Sequence, residues 1–90
     1  MNDLEILRNE IDKINYEILD LFTKRMLISK EIAEYKKHNN VAIEDKNREK
    51  EILNDIIKKS NSELKEYSNV LFETIIDLSK QFQNEEFRDD

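Results

Sequence analysis

Between Leu4 and Lys36 the apolar residues fall at Leu4, Leu7, Ile11, Ile14, Ile18, Leu21, Ile28, Ile32 and Tyr35. The steps alternate between three and four, with one gap, which is the seam of a single long packed helix. Asn2 or Asp3 can cap its start, and Asp3 and Glu5 suit the positive end of its dipole. The helix is predicted to reach about His38. Some 35 residues at 1.5 Å each span roughly 50 Å. A compact domain of 90 residues has a radius of gyration of only about 12 Å. Such a helix overshoots any monomeric globule the chain could build. The simplest partner for its seam is a second copy related by a two-fold axis.

The gap in the seam is Arg25. A cation on the buried line of a helix is costly unless an anion meets it there. Lys36 lies eleven residues further on and returns to nearly the same face. Two cations aimed at one interior point, with no obvious structural anion between them, predict a ligand that carries negative charge.

The rest of the composition narrows the class. The chain has no Gly and no Pro, and 40% of it is charged. A small β protein needs tight turns made of such residues, so a few long helices with short polar links are predicted. With no Cys and a single His, a disulfide framework, a thiolate metal site and a multi-histidine site within one chain are excluded. The net charge of −6 is opposite to that of a usual nucleic-acid binder. No stretch approaches the ~20 apolar residues of a membrane span, and the first residues lack the apolar core of a signal peptide. These features predict a soluble cytoplasmic protein.

His38, Asn39 and Asn40 form the first break, because Asn tolerates the left-handed backbone that Gly would otherwise supply. His38 reads as a solvated helix-end residue. Val41, Ala42 and Ile43 form an apolar link. A second helix begins around Asp45, a good N-cap, with a core stripe of Ile52, Leu53, Ile56 and Ile57. Extended backward, that stripe meets Glu49, Arg48 and Asp45. These are either a cap with an exposed charge cluster or polar groups aimed inward.

Ser60 followed by Glu63 fits a capping box for a third helix. Its apolar positions are Leu64, Tyr67, Leu71, Phe72, Ile75, Ile76, Leu78 and Phe82. A neighbouring line through Phe72 and Ile76 ends in Ser79 and Gln83, which are either a fraying helix end or part of a site. Residues 1–84 are thus one helical domain, and 85–90 read as an acidic, mobile tail.

Taken together, Arg8, Arg25, Lys36, Asp45, Arg48, Glu49, Ser79 and Gln83 lie on or beside core-facing lines. Arg8 is roughly 25 Å from Arg25 along a straight helix, so it could join Arg25 and Lys36 only from an antiparallel partner. Ser79 has no His to act as its base, and a catalytic zinc lacks ligands. A set rich in Arg suits a small polyanion, whose carboxylates match the guanidinium fork.

The chain resembles the all-helical (AroQ-class) chorismate mutases over nearly its whole length. The resemblance rests on Leu7-Arg8-Asn9-Glu10-Ile11-Asp12, Arg25-Met26, Ile32 to Lys36, Asp45 to Glu49, and Leu71-Phe72 through Ile75-Ile76 to Ser79 and Gln83. The departures are a short link between the second and third helices and the acidic tail. The resemblance implies an all-α fold of three helices per chain, interlocked as a homodimer with two equivalent sites. It implies the Claisen rearrangement of chorismate to prephenate, in the route to Phe and Tyr, with no cofactor and no metal. Arg25, and Arg8 from the other subunit, would clamp the substrate carboxylates. Lys36 and Gln83 would donate to the ether oxygen, and Glu49 and Asp45 would meet the ring hydroxyl. Ser79 would help a carboxylate, and Arg48 would offset the local acids and orient Glu49. Two rivals remain at this level. One is an isochorismate-pyruvate lyase on the same scaffold. The other is a non-catalytic helical dimerisation module, which leaves Arg25 unexplained.

Overall fold

The computed structural model describes residues 2–88. Three helices follow one another: α1 at Asp3–His38, α2 at Lys46–Lys59 and α3 at Lys65–Arg88. A 3-10 turn at Ser62–Leu64 leads into α3. Among the described residues there is no strand. The all-helical architecture with one long first helix matches the periodicity of the sequence.

Asn2 caps α1, its side chain accepting from the Glu5 amide at 2.8 Å. The helix ends as the run of Asn residues predicts. Asn39 is the C-cap and Asn40 takes the left-handed conformation at φ 56°. The Val41 amide then donates to the Lys36 carbonyl at 2.8 Å. This closes the helix end with bonds that reach back past the cap. Asp45 caps α2 and accepts from the Arg48 amide at 3.0 Å.

The third helix begins differently from its prediction. The Ser60 hydroxyl pairs with that of Ser68 at 2.6 Å, and Ser60 is the C-cap of α2 rather than the N-cap of the third helix. Asn61 accepts from the Glu63 amide instead, at 3.0 Å. The short Asn side chain folds back on its own backbone and starts the 3-10 turn. At the other end α3 continues to Arg88, which makes residues 85–88 of the acidic stretch helical. Glu86 there pairs with Lys30 of α1 at 3.5 Å. Asp89 and Asp90 lie outside the described residues.

Helix α3 packs on both α1 and α2 and lies between them. Its buried line is Ile76, Ser79 and Gln83 with half-buried Phe72. Leu64, Tyr67 and Leu71, assigned to the apolar face from spacing, are each at least half exposed. On α2 the stripe Ile52, Leu53, Ile56 and Ile57 is half-buried, as its spacing predicts.

The chain is elongated, with extents of 56 × 28 × 14 Å and a radius of gyration of 16.6 Å. This exceeds the ~12 Å expected for a compact domain of this length. From Asn2 to Leu21 every residue is exposed. The seam residues Leu4, Leu7, Ile11, Ile18 and Leu21 all stand more than half exposed in the single chain. Among the described residues the buried apolar side chains are Ala33 and Ile76 alone. No described helix is long and apolar enough to cross a membrane.

Candidate active site

The second half of α1, the link before α2, the first turns of α2 and the last turns of α3 enclose one cleft of about 260 Å³. Every site residue singled out from the sequence lines it, except Arg8. Arg8 sits in the exposed first half of α1, on the far side of Leu21 from Arg25.

From α1 come Arg25, Ser29, Ile32 and Lys36, whose spacing sets them along one side of the helix. Ser29 and Ala33 are buried where α3 approaches, and their small side chains permit that approach. The Arg25 guanidinium donates through Nη1 to Ser79 Oγ at 2.5 Å, and the Ser79 hydroxyl donates to the Met26 sulfur at 3.7 Å. Burial, and then the nearby charge of Arg48, push the Arg25 guanidinium below its ordinary pKa. Both causes disfavour the cation, and the negative charge of an anionic ligand in the cleft would offset them.

Gln83 is buried and donates through Nε2 to the Ser29 carbonyl at 3.0 Å. Lys36 donates through Nζ to the Ile43 carbonyl at 3.0 Å. Neither contact exhausts its donor. A carboxamide has two N–H bonds and an ammonium three, so each can present a further hydrogen to a ligand. That Ser79 and Gln83 are buried disposes of the fraying-end alternative.

The first turn of α2 contributes Asp45, Arg48 and Glu49. The Arg48 guanidinium turns outward to Glu51, at 3.2 Å, on an exposed part of the helix. Glu49 is paired with Lys80 of α3, Nζ to Oε1 at 3.3 Å. The ion-pair partner of Glu49 is therefore Lys80, in place of its sequence neighbour Arg48. Lys80 was missed in the sequence because one more Lys beside Ser79 has no signature in a chain so rich in charge. Ser29 was also missed, although a Ser one turn after Arg25 on the seam marks the same face.

Four cations, Arg25, Lys36, Arg48 and Lys80, and two carboxylates, Asp45 and Glu49, line the cleft. The excess is positive in a chain whose net charge is −6. Ile28, Ile43, Ile52 and Ile76 supply apolar walls. Among the described residues no group of three or more His, Cys, Asp or Glu side chains could hold a metal ion.

Residues 7–84 match the family model of chorismate mutase type II. The chain belongs to this family. All the cleft residues fall within the matched stretch. Two curated relatives are each called a bifunctional chorismate mutase/prephenate dehydratase. That of Buchnera aphidicola is 41% identical over 81 residues, covering 87% of this chain and 21% of the relative. That of Aquifex aeolicus is 41% identical over 58 residues, covering 64% of this chain and 16% of the relative. The chain thus spans about a fifth or less of the length of these relatives.

Proposed function

We propose that the chain is a chorismate mutase, an isomerase that converts chorismate to prephenate. The observation that carries this reading is the cleft itself. Arg25, Lys36 and Gln83 converge on it from α1 and α3 with donors to spare, and its charge excess is positive. Chorismate is a dicarboxylate whose ether C–O bond breaks as a C–C bond forms. The six-electron shift is intramolecular and moves no proton, so it asks the protein for shape and fixed charge. Arg25 clamps a carboxylate with its fork, steadied by Ser79. This holds the diaxial conformer in which the reacting carbons lie close. Lys36 and Gln83 donate to the ether oxygen, which gains negative charge only in the transition state. Glu49 and Asp45 meet the ring hydroxyl, and Arg48 adds positive field at the mouth.

The working unit in this proposal is a homodimer. The exposed seam from Leu4 to Leu21 supports it, because so much contiguous apolar surface is costly in water. Antiparallel pairing of two α1 helices would carry Arg8 of a second copy toward the cleft, to the carboxylate that Arg25 does not hold. In this reading that helix would lie over the hollow beside the cleft, where Ile52, Ile56 and Phe72 offer apolar contacts among the charged Arg25, Arg48, Glu51 and Asp55. A cytoplasmic location is part of the same proposal, supported by the cysteine-free, highly charged composition.

The test is the loss of chorismate absorbance on adding purified protein, with prephenate identified as product. Activity is expected to survive EDTA and dialysis, since side chains alone make the clamp. An unchanged chorismate spectrum at micromolar protein overturns the reading.

A further inference from the structure

Lys80 reaches from α3 to two acids on other segments. Its Nζ lies 3.3 Å from Glu49 Oε1 on α2 and 3.7 Å from Glu44 Oε1 on the link. The Lys80 and Glu49 side chains are 28% and 24% exposed, so water screens this contact less than it screens the surface pairs Arg48–Glu51 and Lys59–Asp55. The other cations of the cleft have different partners. Arg25 donates to Ser79, Lys36 to the Ile43 carbonyl, and Arg48 to Glu51.

Two consequences follow from this geometry. First, Glu49 lines a cleft read as the seat of a dianion, where a lone carboxylate would repel the ligand. Lys80 neutralises that carboxylate while fixing where it points. Second, the link before α2 is held by Lys36 of α1 through the Ile43 carbonyl, and Lys80 of α3 adds a weaker, solvent-screened contact 3.7 Å from the exposed Glu44 carboxylate. The same link carries Asp45, which caps α2 and lines the cleft.

We propose that Lys80 is a positioning residue for the mutase reaction, acting through Glu49 rather than on the substrate. The inference rests on the mutase reading above. An unpaired Glu49 repels the dianion in ground state and transition state alike, so loss of Lys80 falls mainly on KM.

The experiment is a cycle of variants assayed for chorismate turnover below their melting temperatures. Lys80→Met is expected to raise KM roughly tenfold, the size of one hydrogen bond to a charged group, with kcat little changed. Lys80→Arg, which keeps the charge and reach, is expected to restore KM. In a Glu49→Gln background, Lys80→Met is expected to add less than about twofold, because its target is already gone. A Lys80→Met enzyme with wild-type KM overturns the proposal. So does an undiminished tenfold loss in the Glu49→Gln background, which would mean that Lys80 touches the substrate directly.

A second measurement reads the pair without substrate. The urea midpoints of Lys80→Met, Glu49→Gln and the double variant are expected to be non-additive, the double no lower than the lower single. Additive midpoints show that the two side chains do not meet, and the proposal falls. A wild-type protein that leaves chorismate unchanged while the midpoints remain coupled points instead to failure of the mutase reading.

Discussion

The Arg25 guanidinium donates to the Ser79 hydroxyl at 2.5 Å, across the packed faces of α1 and α3. This contact explains how a cation sits on a helix seam without a carboxylate beside it. A hydroxyl satisfies one N–H and leaves the rest of the fork for an external anion.

The relationship separates two variants by size. Arg25→Ala is expected to lower kcat/KM on the order of 10²–10³, because it removes a charged partner of the substrate carboxylate in a part-buried site. Both kcat and KM should suffer, since that carboxylate is charged throughout. Ser79→Ala removes one supporting hydrogen bond and is expected to cost about tenfold or less. Steady-state kinetics on both variants check the order. A Ser79→Ala loss as large as that of Arg25→Ala would put the hydroxyl on the substrate itself.

Lys36→Ala and Gln83→Ala are expected to lower kcat more than they raise KM. Each removes a donor whose target gains charge only in the transition state. The loss expected is on the order of 10²–10³ per donor. A change in KM alone for Gln83→Ala would remove it from the ether oxygen. Gln83→Glu adds a pH readout. A carboxyl donates only while protonated, so activity should be present at acidic pH and fall as pH rises through the carboxylate range.

Sedimentation at dilute concentration is expected to find a dimer that does not dissociate into folded chains. Its basis is the first half of α1, where Leu4, Leu7, Ile11, Ile18 and Leu21 stand more than half exposed in a single chain. Replacing Ile11 and Ile18 together with Glu should abolish association and most helicity at once. A folded monomer with native helicity, for wild type or for this variant, would contradict the interlocked architecture.

A mixing experiment tests whether Arg8 works across the subunit boundary. Arg8→Ala and Gln83→Ala homodimers are each expected to be nearly inactive. Unfolded together and refolded at equal ratio, about half the dimers should be mixed. In a mixed dimer both lesions fall in one site and the other is intact, so about a quarter of wild-type activity should return. If Arg8 served the cleft of its own chain, every site would keep a lesion. No recovery, despite confirmed mixed dimers, would rule out the shared site.

The sequence alone determined the helices and most of the lining of the cleft. Apolar steps of three and four mark α1 because a helix returns to the same face at that interval. Asn39 and Asp45 mark the ends because their short polar side chains satisfy backbone groups a helix end leaves open, and Asn40 because it tolerates the left-handed backbone of the turn. Arg25 was visible as a cation where the pattern called for an apolar residue, and Lys36 as a second cation returning to nearly the same face. Only the tertiary structure decided which polar groups meet. Spacing could not tell whether Ser79 and Gln83 fray or face inward; packing of α3 on α1 buries both, bringing Ser79 to Arg25 and Gln83 to the Ser29 carbonyl. It also paired Glu49 with Lys80 while Arg48 turned outward to Glu51. The reason is physical: periodicity fixes the face of a helix on which a residue lies. The partner of a long, flexible charged side chain depends on which other helix comes within its reach.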